Sequence, residues 1–129
     1  MKITVVIPVK NGENFIEASI ENILINTTKN DEVIYIDDNS SDASLQTLLA
    51  YKKKVNRLKI FRNHSFGLVD ALNYGISKAS NTWIARFDVD DICTPNRIKE
   101  QRELISSDVA AIFCDYEFVD YKKIGRAHV

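Results

Sequence analysis

Cysteine is scarce, with only Cys93 and Cys114 in 129 residues. Two thiols cannot build a disulfide framework, and they read as free thiols in a reducing compartment. An excess of charge of one sign is also missing. Lys and Arg total 17 against 18 Asp and Glu, a formal net charge of −1, which argues against a nucleic-acid-binding domain, since such domains are normally basic. The short run Lys52-Lys53-Lys54 is expected at the solvated end of a helix. No apolar stretch is long enough to span a membrane. Met1-Lys2 followed directly by a strand pattern lacks the apolar core of a signal peptide. A cytoplasmic location is expected, and peripheral contact with the inner face of a membrane is compatible with it. The motif Gly-x-Gly-x-x-Gly is absent, which removes the fingerprint of a dinucleotide-binding fold. No internal repeat or low-complexity linker marks a boundary between domains.

What remains is ordinary for a globular chain: 45% apolar and 27% charged residues, in a length sufficient for one real core. Residues 3–7 (Ile-Thr-Val-Val-Ile) are β-branched and are ended by Pro8, so they read as a strand buried on both faces. Asn11-Gly12 turns the chain. Ile16, Ile20, Ile23 and Leu24 then fall at helical spacing. Residues 33–36 form a second strand, and Ser41 or Asp42 can cap a helix with Leu45, Leu48 and Leu49 on one face. Residues 58–61 are a short third strand. Gly67 opens a helix whose Leu68, Ala71, Leu72, Gly75, Ile76 and Ala79 share a side. Residues 83–87 form a fourth strand, and Pro95 suits the first turn of a helix running to about Ile105. Residues 110–114 are expected as a fifth strand. Strands alternating with helices imply right-handed crossovers and a mostly parallel sheet covered on both faces, an α/β fold. Ligands of such sheets bind beyond the carboxyl ends of the strands.

The unusual residues lie at those ends. Strand one runs into Pro8-Val9-Lys10-Asn11, strand two into Asp37-Asp38-Asn39-Ser40-Ser41-Asp42, and strand four into Asp88-Val89-Asp90-Asp91. So many carboxylates on one edge repel one another unless neutralised, and a divalent cation is the simplest neutraliser. Asp-x-Asp alone is weak evidence, because the pattern also serves polar loops and helix caps. Turn and cap chemistry accounts for Asn39, Ser40 and Asp42. It accounts poorly for two consecutive acids directly after an apolar strand.

Four stretches in order carry a resemblance: residues 6–13 (Val-Ile-Pro-Val-Lys-Asn-Gly-Glu), 35–42 (Tyr-Ile-Asp-Asp-Asn-Ser-Ser-Asp), 67–75 (Gly-Leu-Val-Asp-Ala-Leu-Asn-Tyr-Gly) and 84–91 (Ile-Ala-Arg-Phe-Asp-Val-Asp-Asp), with Pro95-Asn96-Arg97-Ile98 following. The chain resembles family 2 of the GT-A-fold glycosyltransferases over nearly its whole length. The resemblance implies the GT-A fold, a Rossmann-like three-layer α/β/α sandwich. It also implies an inverting transfer of sugar from a nucleoside-diphosphate sugar, typically a UDP-sugar, to a hydroxyl of a glycan or lipid-linked acceptor. The usual setting is bacterial surface polysaccharide synthesis. The implied nucleotide-sugar-binding set is Pro8, Val9, Lys10, Glu13, Asp37, Asp38, Gly67, Asp88, Val89 and Asp90. Within it the turn from Pro8 to Lys10 lines the base and ribose pocket, and Asp38 accepts a hydrogen bond from the base. Asp90 holds Mn2+ or Mg2+ on the diphosphate, Asp88 contacts the ribose or the metal shell, and Asp91 assists. Lys10 departs from the pattern, which often has an aromatic residue there. Its aliphatic stem can cover a ring face and its charge can reach phosphate.

Such a reaction needs a metal to stabilise charge on the leaving diphosphate and a general base for the acceptor hydroxyl. The family's base is a carboxylate beyond the fifth strand, so residues 1–123 read as an incomplete catalytic domain expected to transfer little sugar alone. Asp115 and Asp120 suit strand ends and surface better than that role. The last six residues do not continue the family pattern. They back-translate to ATC GGA AGA GCA CAC GTC, the string of a common sequencing adapter, so residues 124–129 are expected to be a non-native tail.

Other conspicuous residues have bland roles. His64 reads as a loop residue, Trp83, Asn73 and Gly75 as packing or turn positions, and Cys93 as incidental, since an oxygen-rich site does not suit thiolate. Glu13 is expected to cap the first helix. Arg86 either pairs with a site carboxylate or lies on an exposed strand face. A sugar nucleotidyltransferase would need a glycine-rich, basic loop after strand one, and residues 11–15 (Asn-Gly-Glu-Asn-Phe) supply one glycine and an acid. A phospho-acceptor signalling domain would carry its paired acids after strand one, where Pro8 stands.

Overall fold

The computed structural model describes residues 1–115. Strands β1 (Ile3–Val9), β2 (Glu32–Asp37), β3 (Leu58–Arg62) and β4 (Trp83–Arg86) alternate with helices α1 (Ile16–Asn26), α2 (Ser44–Lys54), α3 (Leu68–Lys78) and α4 (Arg97–Glu103). All strand pairs are parallel, in the order β3-β2-β1-β4. Every residue of β1 and β2 is buried, as their mostly apolar sequences require of strands covered on both faces.

Two apolar layers fill the faces. On one, Val5, Ile7, Val9, Val33 and Tyr35 pack with Ile16, Ile20 and Ile23 of α1, Leu48 of α2 and Ile98 of α4. On the other, Val6, Ile34 and Ile36 meet Ala71 of α3. The product is a three-layer α/β/α sandwich. The chain steps from β1 through β2 to β3 in one direction and returns to place β4 on the far side of β1. The direction reverses beside β1, and that is where ligands of open α/β sheets bind. Helix α3 lies close on the sheet because residue 75 is glycine: a Cβ there would stand 2.5 Å from Ile36 Cδ1 and 2.7 Å from Val6 Cγ1.

The opposite, amino-terminal edge is tied by charge. Asp31 accepts hydrogen bonds from the Ile3 N–H (3.1 Å), the Thr28 N–H (2.9 Å) and both Arg102 guanidinium nitrogens (3.0 and 2.7 Å). Glu32 is bound by Lys59, by Thr4 Oγ1 (2.7 Å) and by the N–H and hydroxyl of Ser80 (2.7 and 3.1 Å). These contacts join β1, β2, β3, the loop between α3 and β4, and α4.

Several expectations need correction. Residues 110–114 form no strand and are mostly exposed: among the described residues β4 is the edge strand, and no ladder partner reaches them. Helix α4 begins at Arg97 with Asn96 as its N-cap, so Pro95 precedes the helix. It ends at Glu103, although the N–H groups of Leu104 and Ile105 still bond to the carbonyls of Gln101 and Arg102 in a last tight turn. Strand β4 stops at Arg86, with Phe87 N–H donating to the Val6 carbonyl at 3.3 Å. On α3 only Ala71 and Gly75 are buried, and Leu68 and Ile76 are exposed. Trp83 packs against the core and Lys52, Lys53 and Lys54 occupy the last turn of α2, as expected. Among the described residues no helix is long and apolar enough to cross a membrane. Asp120 and the tail 124–129 lie outside the described residues.

Candidate functional site

The register sets Val9, Asp37 and Arg62 in one row across β1, β2 and β3, so the loops after these strands leave the sheet side by side. Strand β4 pairs only as far as Val6↔Arg86. The Val6 carbonyl faces β4, and by alternation Pro8 turns its missing N–H toward the same side, past the end of that ladder. A proline is thereby tolerated in a central strand.

Three residues in the loops have positive φ: Asn11 (51°), Asn39 (55°) and Gly67 (100°). Asparagine tolerates this region because its short side chain bonds locally. Here each asparagine bonds across to the next loop. Asn11 N–H donates to Ser40 Oγ (2.9 Å), and Asn11 Oδ1 accepts from Ser41 N–H (2.7 Å) and Asp42 N–H (3.3 Å). Gly12 N–H donates to Ser44 Oγ (2.9 Å), whose hydroxyl donates to Asp42 Oδ1 (2.6 Å). Asn39 Nδ2 donates to the Ser65 carbonyl (2.7 Å) while its Oδ1 accepts from Arg62 Nε (3.3 Å).

Asp38 is buried, with 4% of its surface exposed. Its N–H donates to the Val9 carbonyl at 2.7 Å. Its Oδ1 accepts from Asn63 Nδ2 at 2.9 Å, and the Gly67 N–H lies 3.1 Å from both carboxylate oxygens. A carboxylate has about four lone-pair directions, so acceptor capacity remains on Oδ2. Asp37 is equally buried; its Oδ2 accepts from Ser40 N–H (3.3 Å), and its Oδ1 has no partner among the described residues.

The acidic run after β4 is a tight turn in which Asp91 N–H donates to the Asp88 carbonyl (3.1 Å). Val89 holds it against the first loop: a Cβ on Gly12 would meet Val89 Cγ1 at 2.9 Å. Arg86 pairs with Asp88 at 3.3 Å, both about half exposed, so this arginine is at once a partner of the site and an exposed strand residue. Burial, then the charge of Asp88, then that of Asp90 push the Asp91 carboxyl above its ordinary range, against a lowering pull from Arg97. The Arg97 guanidinium stacks 4.1 Å over the Phe87 ring. Behind the turn, Asn22 of α1 brackets Cys93: its Nδ2 donates to the Cys93 carbonyl (2.9 Å) and its Oδ1 accepts from the Cys93 N–H (3.0 Å) and thiol (3.1 Å).

Among the described residues no three His, Cys, Asp or Glu side chains converge to hold a metal. The two acidic clusters, residues 37–42 and 88–91, share one edge of the sheet, but their carboxylates are not pooled. Asp42 and Glu13 serve the start of α2, where Asp42 accepts from Ser44 N–H (2.9 Å) and Glu13 from Ala43 N–H (3.3 Å). Glu13 therefore supports the second helix rather than capping the first. Pro8 and Val9 are buried strand residues, and of that stretch only Lys10 is exposed, with no hydrogen bond or ion pair among the described residues. His64 pairs with the Tyr74 hydroxyl at 3.0 Å.

Residues 4–128 match the family model described as Glycosyl transferase family 2. The chain belongs to that family. An uncharacterised glycosyltransferase of Rickettsia typhi is 33% identical over 124 residues, covering 93% of this chain and 38% of that protein. Glycosyltransferase GlyA of Streptococcus pneumoniae is 32% identical over 90 residues, covering 70% of this chain and 13% of that protein. The chain thus spans well under half the length of the curated relatives it matches. Among solved structures, S. aureus TarS 1–349 in complex with UDP-GlcNAc superposes with a TM-score of 0.70 at 25% identity, over 80% of this chain and 30% of that one. The mannosyltransferase PcManGT of Pyrobaculum calidifontis, in complex with GDP-Man and Mn2+, has a TM-score of 0.64 at 22% identity, over 70% and 28%. That second likeness speaks for the fold alone.

This family 2 chain therefore has the GT-A sandwich expected of it. Its motifs sit on three adjacent loops and the turn after β4. The inter-loop staples Asn11, Asn39 and Asn63 are residues of this region that the sequence does not set apart. Their signal was an asparagine at or just past a strand's end, which reads equally well as ordinary turn chemistry.

Proposed function

We propose that this chain is the donor-binding portion of an inverting glycosyltransferase that takes its sugar from a nucleoside-diphosphate sugar, a UDP-sugar first of all. The observation that carries the reading is the juxtaposition at the reversal point of the sheet. The buried acceptor Asp38 stands at the end of β2, and the Asp88–Asp91 turn is pinned beside it through Val89 and Gly12. A base can meet Asp38 while the diphosphate reaches the acidic turn, with Lys10 exposed between them. The S. aureus relative that binds UDP-GlcNAc supports the same reading of the substrate class.

The acidic turn suits a divalent cation. Its donors are hard oxygens, and the Asp91 carboxyl, raised first by burial, is raised further by the charges of Asp88 and Asp90, a crowding that a cation relieves. Magnesium and manganese sites on nucleotides commonly use one or two carboxylates and complete their shell with phosphate oxygens and water. Asp90 and Asp88 would hold the ion. When bound, it supplies Lewis-acid stabilisation of charge on the departing diphosphate. Asp38 orients the base, and the staples between loops keep that orientation without reorganisation. The acceptor is a hydroxyl of a glycan or lipid-linked sugar in bacterial surface polysaccharide synthesis, met on the cytoplasmic side of the membrane.

The test is a thermal-shift panel of UDP, GDP, CDP and dTDP, with and without Mn2+. A ligand at a hundred times its Kd stabilises the fold by about 2.7 kcal/mol. A shift with UDP that grows with Mn2+, and loses its Mn2+ dependence in Asp90→Asn, is expected. No metal-dependent shift with any of the four would overturn the reading.

A further inference from the structure

Asn63 belongs to none of the acidic motifs, yet it is buried to 4% exposure one residue past β3. Its N–H donates to the Asp37 carbonyl at 2.8 Å. Its side chain donates through Nδ2 to Asp38 Oδ1 at 2.9 Å and accepts through Oδ1 from Ser65 N–H at 3.3 Å. These neighbours fix the amide's orientation, since a carboxylate can only accept and a backbone N–H can only donate. Asparagine combines both functions at this length. Aspartate would set two carboxylates face to face, and alanine would leave Asp38 with the Gly67 N–H as its one remaining donor among the described residues.

We propose that Asn63 is a positioning residue that sets base selectivity through Asp38; the inference rests on the donor-site reading above. Asn63 and the Gly67 N–H together hold the Asp38 carboxylate by both oxygens and leave its free acceptor capacity on Oδ2. A fixed acceptor suits a base edge that presents a ring N–H: N3–H of uracil and thymine, or N1–H of guanine. Cytosine presents a bare ring nitrogen at the equivalent position, and lone pair meets lone pair. Its neighbouring amino group is a donor, but reaching it requires the carboxylate to turn, which Asn63 prevents. A site built around a buried hydrogen-bonding group rejects the ligand that cannot pair with it.

The experiment is calorimetric titration of the chain with UDP and CDP in the presence of Mn2+, repeated on Asn63→Ala, with Mn2+ and inorganic pyrophosphate as a base-free probe. Wild type is expected to prefer UDP by about tenfold, equal to about 1.4 kcal/mol. Asn63→Ala is expected to lose most of that ratio while its pyrophosphate affinity stays within about twofold of wild type. If Asn63→Ala does not fold by circular dichroism, Asn63→Leu, uncharged and close to asparagine in size, takes its place, with the same expectation. Equal wild-type affinity for UDP and CDP overturns the proposal whichever variant folds, and so does a UDP to CDP ratio unchanged by the substitution. In both cases the donor-site reading survives. Failure of the wild type to bind any nucleoside diphosphate with Mn2+ sinks that reading and this proposal with it.

Discussion

Two glycines show how different constraints hide behind one residue type. At Gly75 the backbone is ordinary helix and the constraint is space, because a methyl group would press on Ile36 and Val6 from 2.5 and 2.7 Å. Gly75→Ala should therefore cost about 1–3 kcal/mol by overpacking, measured by urea denaturation. At Gly67 no atom lies within 4 Å of the position a Cβ would take, and the constraint is φ = 100° with ψ = 159°. That region is nearly closed to side chains, so Gly67→Ala should cost roughly 1–3 kcal/mol. It should also weaken UDP binding, since the Gly67 N–H is a ligand of Asp38. An equal loss of stability with unchanged UDP affinity would separate Gly67 from the site. Gly75 as a packing position was legible from its place on the apolar side of α3. The φ of Gly67 was not, because glycine opens helices in many conformations.

The elements themselves were legible where burial is complete. β1 and β2 are mostly apolar because both faces are covered; Asp37 marks the end of β2, whereas β1 runs through Pro8 to Val9, beyond the end its proline suggested. The fifth strand failed for a reason local pattern does not contain: a strand exists only with a neighbour to pair with, and the ladder beside β4 is empty among the described residues. The link from α1 to the segment behind the acidic turn was equally invisible, because Asn22 and Cys93 stand 71 residues apart and meet only in the fold. Asn22→Ala removes both ends of that bracket. It should destabilise the chain by about 1–3 kcal/mol and raise hydrogen exchange at the Cys93 amide above that of β1. Exchange unchanged at Cys93 would show that the turn is held by other contacts.

At the scale of the molecule, the amino-terminal edge of the sheet predicts how stability depends on pH. Burial alone would raise the Glu32 carboxyl, but Lys59, Ser80 and Thr4 outweigh it and lower the group from 4.5 to about 2. Asp31 is lowered likewise, with Arg102 and the Thr28 and Ile3 N–H groups overcoming the cost of burial. A carboxyl depressed in the folded state stabilises fully above its unfolded value and loses that contribution as pH falls through its folded value. For Glu32 the contribution is up to about 3 kcal/mol, present above about pH 4.5 and gone near pH 2. The Tm should fall across that window, and Glu32→Gln should flatten the fall; an unchanged profile in the variant would remove Glu32 as its source. The sequence by itself determined the order of strands and helices, the parallel sheet and the acidic strand ends, because each rests on local spacing of apolar and turn residues. Only the tertiary structure decided which carboxylates are bound by neighbouring loops, that Glu13 and Asp42 hold the start of α2, and that Asn63 holds Asp38. Those outcomes depend on which loops the register brings level, and register is a property of paired strands, not of any one segment.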